Sequence, residues 1–120
     1  MLNFEQIASQ VARGNPEVTG ALLIDAGGQV VACDGLGEQL ATVAVALVLP
    51  LRDFLDRAAA ELGCGALTTS LIEGTNASFA IADVDGAQSA IVLGRAGCSP
   101  GSLRADALWL AEQVRFQGAA

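Results

Sequence analysis

Residues Val18–Ala32 read VTGALLIDAGGQVVA. The run Ala21-Leu22-Leu23-Ile24 is apolar at every position. Successive strand residues point to opposite faces, so a strand over Val18–Asp25 is apolar on both. It is expected at the centre of a sheet, covered on each side. Asp25-Ala26-Gly27-Gly28 then reads as a turn, because glycine takes the positive φ that tight hairpins require. Gln29 to Asp34, QVVACD, returns as a second strand.

Outward from this hairpin the pattern becomes helical. Upstream, Phe4, Ile7 and Val11 recur at helical spacing and predict a short amphipathic helix over 3–13. Gly14-Asn15-Pro16 stops it. Downstream, Gly35-Leu36-Gly37 breaks the chain, and a long helical pattern begins near Glu38. Leu40, Ala44, Leu47, Leu51, Leu55, Ala58 and Leu62 repeat at steps of three or four, a stripe expected to face the sheet. Pro50 lacks an N–H and crowds the preceding turn, so a kink is expected there, or two helices with Pro50 opening the second. Gly63 and Gly65 supply the stop.

Three further strands are expected over Ala66–Glu73, Ala77–Val84 and Ala87–Leu93, separated by Gly74-Thr75-Asn76 and Asp85-Gly86 at hairpin lengths. Leu67, Thr69 and Leu71 share one face of the first. Ala90-Ile91-Val92-Leu93 is apolar throughout, so the last strand is also expected to be central. Ser99-Pro100-Gly101-Ser102 reads as a cap leading into a final helix. Two doubly buried strands in a five-stranded sheet need helices on both faces. The long helix can cover one face and the two terminal helices the other.

Composition narrows the function. The 120 residues fit one domain, 1–120, and 52% of them are apolar, enough for a packed core. Thirteen acidic residues against six arginines give a net charge of −7, which argues against nucleic acid as a partner. The chain contains no histidine, lysine or tyrosine. That removes the histidine base and metal ligand and the lysine of a phosphate loop, and favours a binding or regulatory module over an enzyme. No catalytic, cofactor-binding or metal-ligating residue is assigned. Cys33, Cys64 and Cys98 form no CxxC motif and read as small hydrophobes. Arg52, Arg57, Arg95 and Arg104 read as solvated surface, and Asp83 with Asp85 as a solvated hairpin end. The opening MLNFEQIASQ lacks the features of a secretory signal, and no stretch is long enough for a membrane span, so a cytoplasmic protein is expected.

Val18–Ala32, then Glu61-Leu62-Gly63 leading into Leu71-Ile72-Glu73-Gly74, then Ala90-Ile91-Val92-Leu93 before a glycine-containing loop and a last helix, together resemble the Roadblock family. That family includes roadblock-type dynein light chains and bacterial MglB proteins. The likeness runs from about Phe4 to Phe116, and Pro50 departs from the family's uninterrupted central helix. The resemblance implies a three-layer, profilin-like α+β fold with a five-stranded antiparallel sheet of order 2-1-5-4-3. It implies a homodimer with paired long helices and paired third strands. It further implies binding to a small Ras-like GTPase, with modulation of its nucleotide cycle, or service as an adaptor.

The residues point the same way independently. Val45, Val48 and Leu49 lie off the stripe assigned to the sheet, and leaving them in water would forgo about 1.5–3 kcal/mol each. The strand Ala66–Glu73 has no charge before Glu73 and no proline, so as an edge it lacks the usual protection against pairing. The interface expected from these features comprises Val45, Val48, Leu49, Arg52 and Asp56 on the helix and Leu67, Thr69 and Leu71 on the strand.

Overall fold

The computed structural model describes residues 3–119. In chain order the elements are α1 (Phe4–Gly14), β1 (Val18–Ile24), β2 (Val30–Asp34), α2 (Glu38–Glu61), β3 (Thr69–Glu73), β4 (Ala77–Asp83), β5 (Ser89–Arg95) and α3 (Pro100–Ala119). The five strands form one antiparallel sheet of order β2-β1-β5-β4-β3. This is the three-layer α+β arrangement expected, with α2 on one face and α1 and α3 on the other.

Local chemistry starts and stops the elements. Asn3 and Gln6 cap α1 reciprocally: the Gln6 N–H donates to Asn3 Oδ1 at 2.8 Å, and the Asn3 N–H donates to Gln6 Oε1 at 2.9 Å. In the first hairpin, Asp25 Oδ1 accepts the N–H groups of Gly27 and Gln29 at 3.0 and 2.9 Å, and Gly28 adopts φ +82°. The turn chemistry read from Asp25-Ala26-Gly27-Gly28 is thus in place. Helix α2 ends where Gly63 turns left-handed at φ +77° and the Cys64 N–H returns to the Ala59 carbonyl at 2.8 Å.

The double burial of the central strands follows the apolar runs. Ala21 and Leu23 of β1 enter the core beneath α1 and α3, whereas Leu22 and Ile24 enter the core beneath α2. Ala90 and Val92 of β5 divide from Ile91 in the same way. Under α1 and α3 the sheet presents mainly small residues, Ala21, Ala80, Ala82 and Ala90, against Ile7, Val11, Leu103, Leu110 and Val114. Small sheet residues let large helix residues interdigitate at native packing density.

Several expectations need correction. Helix α2 is one helix of 24 residues running through Pro50, not two. Pro50 lies on the solvent side, where water can serve the carbonyl that its missing N–H leaves free. Strand β3 begins at Thr69, so Leu67 lies in the preceding loop. Strand β5 begins at Ser89, because Asp85 draws the N–H groups of Ala87 and Gln88 into the turn.

The largest correction concerns the faces of α2. Its buried residues are Ala41, Val48 and Arg52, with Ala44, Val45, Leu49 and Leu51 packed partly against the same core. Leu40 and Leu47, assigned to the sheet from their spacing, point to solvent instead. Val48, assigned to a partner, is buried against the chain's own sheet, and Val45 and Leu49 are half-buried beside the same core. Both sides of the helix are apolar, so spacing alone did not distinguish them.

Candidate interaction face

The exposed side of α2 carries Leu40, Val43, Leu47 and Phe54, at 48%, 47%, 66% and 65% exposure. These positions step by three, four and seven residues, the spacing of a helix–helix seam. Isolated apolar residues on a surface are ordinary, but a contiguous stripe marks a contact surface.

Beside this stripe the helix and sheet leave a cleft of about 180 Å³. Leu36, Leu40, Val43, Ala44, Leu47 and Val48 form one wall, and Phe79, Ile91 and Leu93 form the other. Every lining residue is apolar. The cleft lies between the N-terminal half of α2 and the part of the sheet formed by β4 and β5.

The C-terminal half of α2 is held by a polar anchor. The Arg52 guanidinium donates to the Ala87 carbonyl at 2.6 Å, to Ser89 Oγ at 2.9 Å and to the Asp83 carboxylate. Asp83 also accepts the Gly86 N–H at 2.9 Å. Arg52 is therefore not a solvated side chain at a seam, and Asp83 is not a solvated hairpin end. Together they tie the helix to the β4–β5 turn. Spacing gave no sign of this, because a buried arginine and a surface arginine occupy the same kind of helical slot until the sheet is placed.

The remaining interface residues fall as follows. Asp56 is exposed, and its Oδ1 accepts the Leu67 N–H at 2.9 Å, fixing the loop after α2. Leu67, Thr69 and Leu71 are half-buried, with Leu71 packed toward the α1/α3 core. β3 is an edge strand, pairing with β4 on one side alone. Thus Asp56 and Leu67 meet, and Thr69 and Leu71 lie on a free edge, while Val48 and Arg52 lie inside the fold. The exposed residues Leu40, Val43, Leu47 and Phe54 were not singled out as a contact surface from sequence. Their seven-residue recurrence was the available signal.

Among the described residues no group of three or more cysteine or acidic side chains is placed to hold a metal ion. The three cysteines are free. Burial pushes the Cys33 thiol up from its ordinary value. The N–H of Gln88 lowers the Asp85 carboxyl, which also accepts from Ala87. Both shifts follow from local packing and turn geometry. No helix among the described residues is long and apolar enough to cross a membrane.

The Roadblock/LC7 domain family model matches residues 9–87. The fold superimposes on the crystal structure of a Roadblock/LC7 domain from Streptomyces avermitilis with a TM-score of 0.86, at 20% identity, covering 97% of this chain and 98% of that one. It superimposes on Myxococcus xanthus MglB with a TM-score of 0.85, at 14% identity, covering 97% and 94%. An MglB solved in a tetrameric arrangement matches with a TM-score of 0.77, at 16% identity, covering 98% and 90%. The sequence matches no curated protein.

Proposed function

This chain belongs to the Roadblock/LC7 domain family, and on that premise we propose that it is a non-enzymatic, cytoplasmic homodimer that binds a small Ras-like GTPase and modulates its nucleotide cycle. The observation that carries the reading is the uncovered stripe Leu40, Val43, Leu47 and Phe54 beside an all-apolar cleft. Keeping such side chains in water forgoes about 1.5–3 kcal/mol each, and a second chain recovers it. The free edge of β3 lies on the same subunit and offers unpaired backbone groups to a neighbour.

The kind of partner comes from the family likeness, which includes the MglB proteins. Without a histidine or lysine, the chain is poorly equipped for proton transfer or phosphate binding of its own. Its effect on a GTPase is conformational: the dimer binds one arrangement of the switch region more tightly and so shifts its population.

The test is to mix the protein with its GTPase loaded with GDP or with a GTP analogue. A preference for one form, with an altered hydrolysis rate, is expected. Equal and negligible binding to both forms overturns the reading. Binding to proteins other than GTPases, with hydrolysis unchanged, replaces it with an adaptor.

A further inference from the structure

We propose that the cleft between α1 and α3 is a docking site for an arginine side chain of a partner protein, with the Asp106 carboxylate pairing with the guanidinium and the Trp109 indole stacking on it. The site lies on the face of the sheet opposite α2, so it does not depend on what covers that helix.

The cleft has a volume of about 420 Å³, within the range of about 300–1,000 Å³ typical of ligand sites. Gln10, Val11, Gly14 and Asn15 line one wall, and Asp106 and Trp109 of α3 line the other. Gly14 helps keep it open, since no atom lies within 4 Å of the place a Cβ would take there. Asp106 is half-buried and held in position. Asn15 Nδ2 donates to Asp106 Oδ2 and to Ser102 Oγ, each at 2.9 Å, while Asn15 Oδ1 accepts the Glu17 N–H at 3.0 Å. The bond to Asp106 occupies Oδ2 and leaves Oδ1 for a ligand. The ion pairs among the described residues are Arg13 with Asp34 and Arg52 with Asp83, so Asp106 has no cation of its own. Trp109 follows Asp106 by three residues and shares its side of the helix. At 37% exposure, the indole is largely fixed by packing and still lines the cleft.

A carboxylate beside an aromatic face suits a cation. A guanidinium fits better than an ammonium, because it is planar, stacks on aromatic rings, pairs with carboxylates through more than one N–H, and is more weakly hydrated. The surroundings agree in sign. No cationic side chain lines the cleft, Glu112 stands one turn beyond Trp109, and the chain carries a net charge of −7. That field favours the approach of a basic segment. An acidic or wholly apolar segment would instead cover the Asp106 carboxylate without a counter-charge, which is costly.

Trp109 is the one tryptophan and the chain has no tyrosine, so tryptophan emission reports this cleft alone. The experiment titrates the protein with the peptide acetyl-Gly-Ser-Arg-Ser-Gly-amide and with its lysine counterpart, at about 150 mM salt to screen general attraction. We expect a saturable change in emission, with the arginine peptide about fivefold tighter than the lysine peptide. Asp106→Asn, which keeps an oxygen for Asn15, is expected to raise the dissociation constant about tenfold. Gly14→Leu, which fills the cleft from the opposite wall, is expected to do the same or more, with circular dichroism showing both variants folded. An emission that does not saturate overturns the site. Equal affinity for the two peptides, or for wild type and Asp106→Asn, reduces the effect to attraction by an acidic surface and overturns it as well.

Discussion

Arg52 of α2 and Asp83 at the end of β4 form a largely buried ion pair, with Ser89 Oγ and the Ala87 carbonyl completing the arginine's hydrogen bonds. The pair is a polar attachment of α2 to a sheet that it otherwise touches through apolar side chains. It sets how the helix, and with it the exposed stripe, is presented.

Arg52→Met is expected to lower folding stability by about 2–3 kcal/mol, somewhat under the cost of breaking a fully buried pair. Asp83 retains the Gly86 N–H and some contact with water, which moderates the loss. Urea denaturation measures it. A loss below about 0.5 kcal/mol, typical of surface substitutions, would show that the anchor is dispensable.

Leu47→Asp and Leu49→Asp are two residues apart and are expected to differ in kind. Leu49 packs against the chain's own sheet, so Leu49→Asp should destabilise the fold by about 2–3 kcal/mol. Leu47 faces solvent, so Leu47→Asp should leave the fold intact and weaken self-association. Circular dichroism during denaturation reads the first effect and sedimentation the second.

Gly94 of β5 has no room for a methyl group. A Cβ there would lie 2.6 Å from Cys98 Sγ and 3.1 Å from Leu103 Cδ1. Gly94→Ala should cost about 1–3 kcal/mol through overpacking. Adding Cys98→Ala, which removes the nearer atom, should return part of that loss. A double variant no more stable than the single one would place the strain in the backbone.

Asp85 carries a pH dependence of defined sign. Its carboxyl is lowered in the folded state by the Gln88 N–H, so the unfolded chain takes up its proton at higher pH. The stabilisation from Asp85 is therefore complete above the ordinary carboxylate range and disappears as pH falls through the lower folded value. Asp85→Ala should be less stable than the wild type near neutrality, and the gap should close on acidification. Denaturation midpoints of the two proteins between about pH 7 and pH 3 test this. A gap that stays constant with pH would remove the carboxylate from the account.

Much of the architecture was legible because its causes are local. The unbroken apolar runs at Ala21–Ile24 and Ala90–Leu93 required strands buried on both faces, and both are. Asp25, Gly28 and Asp85 marked turns through side-chain acceptors and a left-handed glycine that need no tertiary partner. The exposed stripe of α2 was not legible in the same way. Val45, Val48 and Leu49 and the opposite set Leu40, Val43 and Leu47 are equally apolar and equally periodic, so either could have met the sheet.

By itself, then, the sequence determined the order of the elements, which strands are central, the turn chemistry, and that α2 has more apolar surface than one sheet covers. These follow from the two-residue and 3.6-residue periods and from backbone preferences within a few residues. Only the tertiary structure decided which flank of α2 meets the sheet, that Arg52 is buried on Asp83, and that a cleft opens beside Phe79. Those outcomes depend on contacts between residues tens of positions apart, where side-chain size and charge compete across elements and no local pattern ranks the alternatives.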